Sequence, residues 1–266
     1  MLKNIIFIFC IIGFQNVLAQ GQLTEENDLS PVEDLPTELA ETRGAKIYLK
    51  DQYAWKASDI LFSDPNRDLN KLRGWITKDT HKTASTYFIG IEDDGTYFIK
   101  YQVDFDEYMN GTLVEPIEIT EDISNMFEAR MTSLMSMKNM CSQTYNSVVL
   151  EENGKIIIYW LAGTKVHGEI PIGGHYRFTF NKGEKDFIRK ERLSNSCLTI
   201  SPEKNEEEME AEPVMTMFSH VVSKKPQDVH IFLNLLYGDM SVLADEKIYV
   251  LQNGRVTHEM TMNVEN

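Results

Sequence analysis

The chain has 266 residues, with 41 acidic against 26 basic side chains and a formal charge of −15. That balance disfavours nucleic acid and anionic membrane surfaces as partners, because neutralising phosphates takes clustered Lys and Arg. The length suits one large domain or two small ones, and a hydrophobic fraction of 42% is ordinary for a packed core.

Lys3 makes the first residues positive, Ile5 to Leu18 is apolar apart from Gln15 and Asn16, and Val17 and Ala19 stand at the minus-three and minus-one positions of a cleavage site. This is the three-part pattern of a secretory signal peptide over residues 1–19, with cutting expected after Ala19. The apolar run is shorter than the roughly 20 residues a membrane span needs, and no later segment looks like one. The mature chain is therefore expected to be secreted or periplasmic, without stable membrane insertion.

Residues 20–44 are strongly acidic. Glu25, Glu26, Asp28, Glu33, Asp34, Glu38 and Glu41 precede Arg43, the first base of the segment, and Pro31 and Pro36 interrupt them. Such a segment is expected to stay flexible, as a solubilising linker or as an arm for a basic partner. Residues 45–266 are read as one β-rich domain, with a division near Asn139 as the alternative.

Within that body Ala45 to Leu49 reads as a short strand. Asp51 then reads as the N-cap of a helix carrying Ala54, Ala57, Ile60 and Leu61, ended by Pro65. Leu72 to Ile76 is strand-like. Thr86 to Ile91 and Thr96 to Phe105 flank Asp94-Gly95, a short-range hairpin pattern. Asn110-Gly111-Thr112 reads as a turn and also forms a glycosylation sequon at Asn110. Ile123, Met126, Phe127, Met131, Leu134 and Met135 recur at three and four, which predicts an amphipathic helix with Thr120 or Asp122 at its start.

Cys141 and Cys197 are the cysteines outside the leader, and an exported chain is expected to pair them across a loop of roughly 57 residues. Three strand-like runs lie between them: Lys155 to Leu161, His175 to Phe180 and Phe187 to Leu193. In the second, Tyr176, Phe178 and Phe180 alternate with His175, Arg177 and Thr179, so one face should be buried and the other wetter. Glu203 to Glu212 is glutamate-rich, six in ten residues, and lacks the spacing of an ordered calcium loop, so it reads as a solvated excursion. Val214 to Val222 and Val229 to Leu236 look like a second hairpin. Ile248 to Leu251 and Val256 to Met260 flank Asn253-Gly254, a tight reversal. The fold class that follows is α+β: a predominantly antiparallel, twisted β-sheet with two amphipathic helices packed on it.

Catalytic fingerprints are missing. There is no G-x-S-x-G elbow, P-loop, G-x-G-x-x-G, C-x-x-C or H-E-x-x-H, and Ser201-Pro202-Glu203-Lys204 matches S-x-x-K without its companion motifs. Three histidines are left as candidates. His220 and His230 would face each other across the second hairpin, and His175 opens the central one. With Asp104 or Asp106 they could hold zinc or another divalent metal and polarise a water for hydrolysis. No short ligand spacing supports that arrangement, and strand histidines with ordinary hydrogen bonds are the simpler reading. Tyr159, Trp160, Tyr176 and Phe178 read as core rather than as a ligand groove. The favoured expectation is an exported, non-enzymatic protein without a cofactor that binds a protein or small-molecule partner. A metal-assisted hydrolase is the alternative.

Overall fold

The computed structural model describes residues 28–80, 82–166, 168–201 and 215–262. The leader, the glutamate run and residues 20–27 of the acidic segment lie outside them. Helix α1 (Thr37–Ser63) leads into β1 (Leu72–Asp79), β2 (Ala84–Ile91), β3 (Tyr97–Phe105) and β4 (Gly111–Val114). Helix α2 (Glu121–Ser136) leads into β5 (Tyr145–Glu152), β6 (Lys155–Ala162), β7 (Ile170–Pro171), β8 (Tyr176–Asn181), β9 (Phe187–Arg192) and β10 (Thr199–Ile200). Strand β11 (Thr216–Ser219) and helix α3 (Asp228–Tyr237) precede β12 (Met240–Ala244), β13 (Lys247–Gln252) and β14 (Arg255–Thr261).

The class is α+β, with mostly antiparallel strands. The single sheet and two helices read from sequence give way to three helices and several sheets among the described residues. Their orders are β1-β2-β3-β4, β5-β6-β8-β9 and β11-β12-β13-β14, with a small β7–β10 pair. The β11–β12 pairing is parallel. Each four-stranded sheet thus has a helix ahead of its run of antiparallel strands, a repetition of architecture that has no fixed period in the sequence. The Asn153-Gly154 and Asn253-Gly254 reversals carry left-handed φ at both residues (51° and 72°, 51° and 76°), as two-residue hairpin turns require.

The largest departure from the sequence reading is α1. It begins at Thr37, so residues 37–44 of the segment expected to be flexible and the Ala45–Leu49 strand are replaced by one helix of 27 residues. Pro36 stands at its N-cap, where a missing N–H costs nothing. One stripe, Ala40, Gly44, Ile47, Asp51, Ala54, Ala57 and Leu61, is buried along its whole length at intervals of three and four. Asp51 is mid-helix, not a cap. Gly44 interrupts the pattern because α3 crosses there: a Cβ on it would lie 2.4 Å from Ile231 Cβ and 2.6 Å from the Asp228 carbonyl oxygen. Residues 28–36 are tied down as well. Leu35 is buried, Ser30 N–H donates to Lys190 O at 2.7 Å, and Arg189 donates to Pro31 O at 2.6 Å. The basic partner of this part of the acidic segment is strand β9 of the same chain.

Strand β6 explains why its sequence shows no alternation. Ile157, Tyr159 and Leu161 face a core shared with α3 and β11–β13, while Ile156, Ile158 and Trp160 face a core shared with α2 and β1–β3. A strand buried on both faces is apolar throughout, and each such side chain contributes about 1.5–3 kcal/mol of burial. The same sandwiching corrects the reading of β8. His175, Arg177 and Thr179 do not face water: all three are buried, and Arg177 meets Asp228 of α3. The second predicted hairpin is also corrected: its first arm is β11, but its second arm is α3, a helix of 10 residues. Thr120 caps α2 as expected, its Oγ1 accepting from Ile123 N–H.

The free edges of β1 and β5 meet along a seam that carries no ladder hydrogen bonds between the two strands. Side chains from the two helices close it. From α1, Lys50 Nζ donates to Thr77 O at 2.7 Å and pairs with Asp79 at 2.7 Å, and Asp51 accepts from Asn146 at 3.2 Å. From α2, Asp122 pairs with Lys78, and Arg130 Nε donates to Ser147 Oγ at 2.7 Å.

Burial pushes the Asp51 carboxyl up to about 6, and the single amide of Asn146 only partly opposes this. A carboxyl with a raised folded-state pKa destabilises the fold as pH rises through the window from about 4 to 6, and the penalty is constant above it. Asp51→Asn is therefore expected to be more stable than the native chain by about 1–3 kcal/mol at pH 8, with the advantage vanishing near pH 4. Urea midpoints of both proteins at the two pH values check this. An advantage independent of pH would show that the carboxyl titrates alike in the folded and unfolded chain and that burial does not raise it.

Candidate functional site

Cys141 and Cys197 are joined, with Cα atoms 5.2 Å apart and a sequence separation of 56. Gly173 and Gly174 lie against the bridge and the chain that follows it. Gly174 has φ +90°, and a Cβ there would meet Cys141 Cβ at 2.5 Å; one on Gly173 would meet Ser196 O at 2.2 Å. Tyr145 locks the corner, its hydroxyl accepting from Cys141 N–H at 3.0 Å and donating to Gly174 O at 2.9 Å.

Beside the bridge lies a cavity of about 250 Å³, lined among others by Ser142, Gln143, Thr144, Thr164, Lys165 and Glu169. Its walls are held from within. Ser142 Oγ donates to Gly163 O at 2.6 Å, and Thr164 Oγ1 donates to Glu169 Oε2 at 2.7 Å. Gln143 and Lys165 are exposed at its mouth. The lining offers hydroxyls, amides, one ammonium group and the Glu169 carboxylate, a set that recognises polar groups by hydrogen bonds.

The structure brings His220 and His230 together, though by a different route from the one expected. His220 follows β11 and His230 sits in the first turn of α3, with ring centres 4.5 Å apart and planes at 81°. Their nitrogens are already engaged. His175 Nδ1 accepts from Ala162 N–H at 3.0 Å, which leaves Nε2–H facing Pro171 O at 2.9 Å. His230 Nδ1 accepts from Gln227 N–H at 2.9 Å, completing a capping box at the start of α3. His220 Nε2 lies 2.5 Å from Ser223 Oγ, whose proton goes to Lys225 O at 2.9 Å. A metal takes the lone pair of a neutral imidazole, and in His175 and His230 a backbone N–H occupies it. Among the described residues no group of three or more His, Cys, Asp or Glu could hold a metal ion. Asp104 lies on β3, bonded to Ser85 and Gln102, and Asp106 in the turn after β3, bonded to Asn110. Burial lowers His175 and His220 to about 4, and burial with the neighbouring imidazoles holds His230 well below the usual range.

The strongest polar constellation escaped the sequence reading. Arg177 on β8 is 1% exposed. Its Nε and Nη2 donate to both oxygens of Glu191 on β9 at 2.7 and 2.9 Å, and its Nη1 donates to Asp228 at 2.9 Å. Tyr159 on β6 donates to the same Asp228 oxygen at 2.5 Å. Glu191 also accepts from Glu33 N–H at 2.8 Å, so the segment before α1 joins the cluster. Burial works against the charge of Arg177, but Asp228 and Glu191 more than offset it and raise its pKa. Burial likewise works against the Glu191 carboxylate, and the Arg177 guanidinium wins and holds it below the usual range. Burial and the Asp228 charge together raise the Tyr159 phenol far above its usual value. The members sit 14 and 51 residues from Arg177 in sequence, and no motif spacing could have announced them.

The bridge is compatible with an oxidising compartment, and no helix of the described residues is long and apolar enough to cross a membrane. No protein-family model matches the chain, and no curated protein or solved structure shows detectable similarity to it.

Proposed function

We propose that the chain is an exported, non-enzymatic protein that binds a polar group of a partner in the cavity beside the Cys141–Cys197 bridge. One contrast supports this reading. The groups with chemical reach, Arg177, Glu191, Asp228, Tyr159 and the three histidines, are buried and already engaged by neighbours, whereas the open cavity carries hydroxyls, amides, the Lys165 ammonium group and a Glu169 carboxylate that Thr164 engages. At about 250 Å³ it is smaller than a typical site for a drug-sized ligand, so it suits one polar side chain or one sugar ring rather than a whole small-molecule substrate. Export follows from the leader pattern and agrees with the bridge.

The test uses the full mature protein on arrays of immobilised peptides and glycans. Gln143→Ala with Lys165→Ala is expected to fold normally, since both side chains are exposed, and to lose about ten-fold or more in affinity for whatever the native protein captures. Equal capture by native and variant protein would refute the cavity as the site.

A further inference from the structure

Three consecutive bases of β9 carry different partners. Arg189 pairs with Glu191 at 3.1 Å, and Lys190 pairs with Asp28 at 3.1 Å. Arg192, two residues on, makes no ion pair with a described carboxylate, and its Nε is buried without a hydrogen-bond partner. Its guanidinium faces the bridge instead. Nη2 lies 3.5 Å from Cys141 Sγ and 3.9 Å from Cys197 Sγ. A disulfide sulfur is neutral and a weak acceptor, so an arginine gains little there while the bridge is intact. A thiolate at the same place is an anion, and a neighbouring arginine stabilises it strongly.

The two sulfurs stand in different surroundings. Cys197 lies in a stretch, residues 195–199, that is exposed throughout. Cys141 is half-buried, its N–H fastened to the Tyr145 hydroxyl at 3.0 Å and its side chain lying against Gly174. An approaching nucleophile therefore meets Cys197 first, and the sulfur it displaces is the one nearer the guanidinium. Thiol–disulfide exchange runs faster when the departing thiolate is the more stable one.

We propose that the Cys141–Cys197 bridge is a thiol–disulfide exchange site, at which an external thiolate attacks the Cys197 sulfur and Cys141 leaves as a thiolate held by Arg192. The incoming sulfur bonds to Cys197, the Cys141–Cys197 bond breaks, and its electron pair stays on Cys141. The attacking thiol has already given its proton to solvent. One disulfide replaces another, so the step needs no separate oxidant or reductant. In the reverse step the Cys141 thiolate attacks Cys197 and expels the guest as a thiolate. The mixed disulfide frees the segment after α2 from the segment after β9, and both border the cavity through Cys141 and Thr199. The exchange itself stands whatever that cavity binds.

The experiment offers glutathione to the full mature protein at neutral pH. Samples are quenched in acid, free thiols are alkylated, and peptide masses locate the adduct. Glutathione is expected on Cys197 and the alkyl group on Cys141, while the chain is still folded by circular dichroism. Arg192→Gln keeps the bridge and is expected to slow the exchange roughly ten-fold. In concentrated urea, where the guanidinium is no longer positioned, the two proteins are expected to react alike. The direction is diagnostic, because losing a residue that merely braces the corner would loosen the bridge and speed the reaction. A peptide with a single cysteine, offered in parallel, distinguishes the donors: faster reaction with glutathione assigns a small thiol, faster reaction with the peptide a partner's cysteine. Equal or faster exchange in Arg192→Gln, adducts mainly on Cys141, or reaction only after unfolding would overturn the proposal and leave the bridge a purely structural tie.

Discussion

Arg177→Met is expected to destabilise the fold by about 3–5 kcal/mol, the usual cost of removing one partner of a buried ion pair. The substitution keeps the length of the side chain, so little of the loss comes from packing. It arises because Glu191 and Asp228, with side chains 1% and 0% exposed, are left in the interior without their cation. Three elements lose a tie at once: β9 through Glu191, α3 through Asp228, and the residues before α1 through Glu33 N–H on Glu191. A double substitution, Arg177→Met with Glu191→Gln, is expected to cost less than the sum of the two single changes, because each removes the charge that the other strands. Urea unfolding of the native protein, both single variants and the double variant completes the cycle. A single-variant loss below about 1 kcal/mol would mean that water reaches the cluster and that the interior is not sealed there.

The same cluster shows where the sequence stops being legible. Periodicity reports which face of an element is apolar, and it served well where one face alone is buried or where both are. The Asp94-Gly95 hairpin, the Ile123–Leu134 stripe and the uninterrupted Ile156–Leu161 run fall into those cases. It fails where a polar residue is buried because a distant element covers it. Arg177 alternates with Tyr176 and Phe178 as a solvent-facing residue would, and only the packing of α3 takes it out of water. It fails again in α3 itself. Val229, Ile231, Phe232 and Leu233 are all buried because the helix is enclosed between α1 and two sheets, so its apolar residues form a run and not a stripe. In α1 the local pattern misleads for the opposite reason. Gly44 and the Ile47-Tyr48-Leu49 run look like a break followed by a strand, yet the glycine is where α3 passes and Ile47 belongs to the central core. The Cys141–Cys197 pair was accessible because covalent chemistry leaves few alternatives, whereas the His220–His230 contact was anticipated through a hairpin that does not exist.

Replacing both Cys141 and Cys197 by alanine is the other large effect. A bridge across this loop removes chain entropy worth about 4 kcal/mol from the unfolded state, and its loss is expected to lower stability by up to that amount. For a chain of this size that corresponds to a fall in midpoint of roughly 10 °C. The expected loss is also local in origin. The bridge fastens the segment after α2 to the segment after β9, and Gly174 and Tyr145 are packed against it with no other cross-link at that corner. Arg192 Nη2 lies 3.5 Å from the Cys141 sulfur and 3.9 Å from that of Cys197, so the guanidinium would be left facing a gap once the sulfurs are gone. The cavity shares Cys141 and Gly173 with this corner, so binding there is expected to weaken along with stability. Reduction of the native protein under native conditions should reproduce the loss, which separates the covalent tie from the change in side chains. Thiol titration of the unfolded, unreduced chain gives the prior condition: no reactive thiol from these two positions if the bridge forms, two if it does not. Stability unchanged by either treatment would mean that the α2–β9 corner is held by its packing and hydrogen bonds alone.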